Sequence, residues 1–134
     1  MINLITSFTF LFTSIHSYKS NYIFLTLGCV LCLITSVIYH GSLLFCKKIS
    51  FITRIIDTIV AHSCIVLFLY NYLSYHPLNL ITIGCLIYIF LVYSVFKKSY
   101  SKKGNLWHSS IHIVSNIGIS CMIEAYKRSN ILKS

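Results

Sequence analysis

Four apolar runs, residues 21–45, 51–70, 80–96 and 105–125, leave this chain few folds to choose from. At a rise of about 1.5 Å per residue, runs of this length cross or nearly cross a hydrocarbon core of about 30 Å as helices. None alternates with period two, which rules out the strands of a membrane barrel. The expectation is an all-α polytopic transmembrane bundle of four or five helices. The fifth candidate is residues 1–15, apolar, rich in Ser and Thr and short for a span. It reads as a marginal first span or an interfacial helix, the span being favoured, and it lacks the basic start and small-residue cleavage site of a secretory signal.

Composition agrees with a lipid solvent. Only 10% of the 134 residues are charged and 57% are hydrophobic, with a mean hydropathy of +0.81, whereas a soluble domain is nearer about a quarter charged. Residues 1–134 form one domain, without a Pro/Gly/Ser-rich linker or an internal repeat. The net charge of +9 comes from eleven Lys and Arg against Asp57 and Glu124. Because the basic residues flank apolar runs, they read as juxtamembrane anchors facing lipid headgroups; membrane lipids are the expected partners and nucleic acid is not. Six cysteines are scattered through apolar runs. Cys29 and Cys32 have metal-like or redox-like spacing but no basic neighbour, so all six read as small apolar filler without disulfides.

Alternating spans divide the charge between two sides. Lys47, Lys48 and Arg54 form one loop, and Lys97, Lys98, Lys102 and Lys103 fall on the same side, seven basic residues in all. Lys19, Lys127, Arg128 and Lys133 lie on the other. The positive-inside rule makes the first side cytoplasmic. Measured from that side, His40, Asp57, His108 and His112 lie at depths of roughly 7, 9, 5 and 10 Å. Four ionisable residues from three helices thus share one layer, with Ser36 one turn deeper than His40 on the same face.

That layer has a chemistry. His108 and His112, four apart, stack on one helix face and suit two ligands of one ion. With His40 they make three imidazoles and one open position, the donor set of a catalytic zinc, which lowers the pKa of a bound water toward about 7. Asp57 can orient that water or take its proton, and Ser36 can donate to a developing oxyanion. Arg54, one turn from Asp57, can hold it ionised. A site opening sideways to lipid would take a lipid amide or ester.

These residues resemble the CREST superfamily of multi-helix membrane proteins: Ser36-x-x-Tyr39-His40, Arg54-x-x-Asp57 and His108-x-x-x-His112 occur in its order. The superfamily includes alkaline ceramidases, the progestin and adipoQ receptors with the hemolysin-III-like proteins, and the myomaker group. The Ser-x-x-Tyr-His string and the seventeen-residue step from His40 to Asp57 are most similar to the receptor and hemolysin-III branch. The resemblance implies zinc on His40, His108 and His112, with Ser36 and Asp57 completing the site. It covers about residues 34–63 and 107–116. The family typically has seven spans where this chain has room for four or five, and the Gly-containing string after the family's Asp is Thr58-Ile59-Val60-Ala61 here. A homo-oligomer is one way to restore a missing wall.

Blander assignments stand beside these. The His108/His112 pair also fits a solvated interface, Asp57 a structural ion pair with Arg54, and Ser36 a helix-packing serine. His62 is a fourth ligand or a packing residue, His16 and His76 read as solvated loop residues, and Glu124 as a partner of Lys127 and Arg128. Two histidines could instead be axial ligands of a b-type haem, which the bulky spans disfavour. A non-enzymatic receptor-like, fusion or accessory protein with a structural zinc is the alternative to a hydrolase.

Overall fold

The computed structural model describes residues 2–45, 47–75, 80–96 and 102–131. They form α1 (Ile2–Ser7), α2 (Thr9–Lys19), α3 (Ile23–Phe45), α4 (Lys47–Tyr75), α5 (Leu80–Phe96) and α6 (Lys102–Ile131). No strand occurs among the described residues, so the chain is all-α as expected.

α1 and α2 are one rod tightened at Phe8. Its φ of −66° and ψ of −12° stay right-handed, while Phe8 N–Ile5 O (3.1 Å) and Leu11 N–Phe8 O (3.0 Å) reach back three residues, the tighter 3₁₀ pattern. The rod ends in a Schellman turn. Asn21 takes the left-handed conformation at φ 62°, and the amides of Asn21 and Tyr22 bond Tyr18 O and Ser17 O at 3.0 Å each. Asparagine accepts that conformation more readily than other side-chain-bearing residues, and the turn sends α3 back along α2.

The main packing pairs are α4 on α3, α3 on the α1/α2 rod, the rod on α6, and α6 on α5. The N-terminal rod is therefore the middle of the row. Its buried face is Asn3, Ser7, Phe10, Thr13, Ser14 and Ser17, a stripe at helical spacing made mostly of small polar residues that let backbones come close. The apolar core continues through Leu25, Cys29, Cys32, Cys64, Phe68, Ile119, Met122 and Ile123. At the α3–α4 crossing a Cβ on Gly28 would stand 2.5 Å from the tip of the Phe68 ring, so a larger residue there would force that ring to move.

Burial is inverted relative to a water-soluble bundle. Ser7 and Ser17 are fully buried at 0% exposure, while Phe24, Phe45 and Leu80 are 82%, 89% and 86% exposed. α3 (Ile23–Phe45) and the Ile49–Tyr70 part of α4 are long and apolar enough to cross a membrane. The apolar part of α5, Leu80–Val92, is shorter, and α6 is not among the helices that meet both criteria.

Several boundaries differ from the sequence expectation. α4 begins at Lys47, so Arg54 lies two turns inside a helix and not in a loop. It also runs on through Tyr75, where a turn was expected from 71. α6 takes in Lys102 to Gly104 at its start and continues past Ala125 to Ile131. Lys is a good helix former and no Pro interrupts these stretches, so the helices extend beyond their apolar parts, through Gly104 in α6. Ile2–Lys19, which takes in most of the short apolar run 1–15, forms the rod packed between α3 and α6, and His16 is in α2. Pro77, His76, Lys97 and Lys98 fall outside the described residues.

Candidate metal centre

Three imidazoles meet where the last turns of α3 approach the early turns of α6. His40 on α3 and His108 and His112 on α6 each offer a ring nitrogen, and these atoms all lie within 4.8 Å of one another. Ring centroids are 5.1 Å apart for His40–His108, 5.5 Å for His40–His112 and 4.9 Å for His108–His112. His40 and His112 are buried and His108 is partly so. Phe10 of α2 flanks His112 with a centroid separation of 5.8 Å.

The donor set fits a small metal ion. Nε2 of His40 and Nε2 of His108 are buried with no hydrogen-bond partner. A buried polar atom left unpaired costs about 1–3 kcal/mol, and two within one cluster are accounted for by a shared ion. Neutral imidazole suits zinc and several other transition metals.

Ser36 sits in the same region but faces α1. Its Oγ is 2.9 Å from Ser7 Oγ. Ser7 already gives its proton to Asn3 O at 2.8 Å, so Ser36 is the donor in the Ser7–Ser36 bond. Asp57 is buried but stands apart from the imidazole group. Its Oδ1 accepts a hydrogen bond from Thr35 Oγ1 at 3.1 Å. Thr35 and Ser36 are successive residues, about 100° apart around α3, so Ser36 turns toward α1 while Thr35 turns toward α4. The expected Arg54–Asp57 ion pair does not form; Arg54 is instead within electrostatic reach of His108.

The other candidates lie away from the centre. His62 is exposed, with Nδ1 2.7 Å from Thr58 O, and does not join the group. His16 is paired and not solvated in a loop: its Nε2 is 2.9 Å from Glu124 Oε1, which Lys127 Nζ also approaches at 3.0 Å. Cys29, Cys32 and Cys64 are free thiols in the core, and none of the five described cysteines forms a disulfide.

The residues the sequence did not mark are Asn3, Thr6 and Ser7. They contact Ser109, His112 and Ser36 respectively. Their spacing, i, i+3, i+4, continued by Phe10, Thr13, Ser14 and Ser17, is the signal that would have found them. Below them, Asn116 joins α6 to α2. Its Nδ2 donates to Thr9 Oγ1 at 2.8 Å, and its Oδ1 accepts from Thr13.

No family model, curated protein or solved structure matches the chain.

Proposed function

We propose that the chain is a multi-pass membrane protein that binds zinc through His40, His108 and His112 and hydrolyses a lipid amide or ester. The observation that carries it is the convergence of three imidazoles from two helices, with two ring nitrogens left without a protein partner. Neither His62 nor Asp57 fills a fourth position, the pattern of a catalytic rather than a closed structural site. Outward-facing large apolar side chains over a small polar interior support embedding in lipid, and the excess of Lys and Arg around residues 47–54 and 97–103 supports a cytoplasmic position for that end. The resemblance of Ser36, His40, Asp57, His108 and His112 to the CREST pattern supports both zinc and a lipid substrate.

Zinc bound there would supply a Lewis acid and lower the pKa of water. The protein's own groups do the rest. Asp57, held at Oδ1 by Thr35 and standing apart from the imidazoles, would take the proton through an intervening water. Ser36 gives its proton to Ser7 on α1 and would have to exchange that bond to donate to a substrate oxyanion.

A specific observation favours a second reading, a non-enzymatic receptor-like, fusion or accessory protein with structural zinc. Two cavities among the described residues, of about 70 and 520 Å³, are lined by none of the three histidines, whereas a hydrolase needs lipid-sized access to its metal.

The deciding experiment is the metal content of the detergent-purified protein, wild type against His108→Ala/His112→Ala. Near-stoichiometric zinc, lost in the variant, is the expected result. A wild type without zinc overturns the proposal. Turnover of a ceramide-like amide or an acyl ester by the zinc-loaded protein then separates the hydrolase from the structural reading.

A further inference from the structure

We propose that α1 is the outer shell of the metal centre, and that Thr6 is the positioning residue that selects which nitrogen of His112 faces the ion. The proposal rests on the zinc reading of the three histidines and adds to it a segment outside the motif strings that suggested zinc.

Proton counting gives the direction of each bond. Thr6 has one hydroxyl proton, and it goes to Asn3 O at 3.1 Å. Thr6 Oγ1 is also 3.2 Å from His112 Nδ1. With its own proton committed, Thr6 accepts there, so Nδ1 carries the proton and donates it. A neutral imidazole has one N–H, so Nε2 of His112 is left with its lone pair free. That is the tautomer that binds a metal through Nε2, fixed before any ion arrives.

The neighbouring contacts repeat the pattern on the other two sides of the cluster. Ser7 gives its proton to Asn3 O, which orients Ser36 one turn before His40. Asn3 Oδ1 accepts from Ser109, the residue after His108. Asn3, Ser7, Ser36 and Ser109 are all buried, so these bonds are shielded from water and keep their strength. One turn of helix therefore touches the flank of each ligand-bearing segment. The bond of Thr6 to Asn3 O is the ordinary back-bond of a helical threonine; what sets Thr6 apart is that its remaining lone pairs meet an imidazole of the cluster.

The test compares Thr6→Val, which keeps the branched shape and loses the hydroxyl, with Thr6→Ser, which keeps the hydroxyl. Zinc affinity is read by chelator competition on the detergent-purified full chain, with cobalt(II) absorption as a second readout of ligand geometry. The loss of an outer-shell partner typically weakens metal affinity about 10–100-fold. That loss is expected for Thr6→Val, with Thr6→Ser close to wild type. Unchanged affinity in Thr6→Val overturns the proposal, and so does an equal loss in both variants, which would make the effect one of packing. Imidazole nitrogen NMR of the metal-free wild type needs no variant: His112 protonated on Nδ1 is expected, and protonation on Nε2 overturns the assignment. Zinc that is lost in His108→Ala/His112→Ala but unaffected by Thr6→Val refutes the role of α1 alone. A wild type that holds no zinc refutes the site and this role with it.

Discussion

At Asp57 the structure replaces one partner with another. An acid buried in an apolar helix interface needs compensation, since an unpaired buried charge is expensive. Arg54, one turn away, is the partner that sequence suggests, yet Thr35 on α3 supplies the hydrogen bond, and the ion pairs among the described residues lie far off at Glu124. Asp57→Asn tests what the acid is for. The amide oxygen of Asn can still accept from Thr35, so folding and zinc content should be unchanged. Under the hydrolase reading turnover falls to background, because the amide cannot take a proton at neutral pH. The paired measurements are zinc per chain and turnover. A variant that loses its fold or its zinc makes Asp57 structural, and one that keeps full turnover removes it from the reaction.

Between elements, the seam of α2 and α6 decides whether the centre assembles. Asn116 satisfies both ends of its amide there, bonding Thr9 and Thr13 across the seam and the carbonyl of His112 one turn back at 2.6 Å. Asn116→Leu keeps roughly the volume and removes these bonds. At about 0.5–1.5 kcal/mol for each of the three bonds lost, the expected destabilisation is about 1.5–4.5 kcal/mol, seen as a lower thermal midpoint in detergent with a smaller loss of zinc affinity than in Thr6→Val. No change in midpoint would mean that the seam is held by apolar packing alone. The same seam explains what the sequence did and did not disclose. The His108/His112 pair and the apolar runs were legible because helical spacing and span length are one-dimensional properties. Depth was legible too, and it brought His40 level with the pair. Azimuth was not. The N-terminal rod enters between α3 and α6, which turns Ser36 and His40 inward and leaves Asp57 on the α4 side of α3. The rod itself was hard to recognise because Asn3, Thr6, Ser7 and Thr13 occur in a chain where Ser, Thr and Asn are frequent, and each is a weak signal alone. Helix ends were misplaced at Lys47 and Tyr75 for a related reason: loss of hydropathy marks where lipid would end, not where the backbone stops being helical.

Over the whole molecule, the direction of the rod adds a constraint on topology. Asn3 is level with Ser109, and His16 is level with Glu124, so the rod runs parallel to α6 and opposite to α3. The start of α1, the α3–α4 junction and the start of α6 therefore share one end of the bundle, and among the described residues this is the end with most of the Lys and Arg. If large apolar side chains such as Phe24, Phe45 and Leu80 face acyl chains, the protein should stay in the membrane pellet after alkaline carbonate washing and leave it only with detergent. Under the proposed topology the positive-inside rule would put residues 97–103 on the cytoplasmic side together with the first turn of α1. A membrane-impermeant thiol reagent applied to intact cells or sealed vesicles reads this directly. A cysteine introduced at Ser101 should be labelled only from the cytoplasmic face, and one introduced at Ser74, beyond the Ile49–Tyr70 stretch of α4, only from the opposite face. Labelling of both from the same face would break the alternation of spans and detach the metal centre from the cytoplasmic half of the bilayer. Extraction by carbonate alone would go further, since it would remove lipid as the reason for the inverted burial.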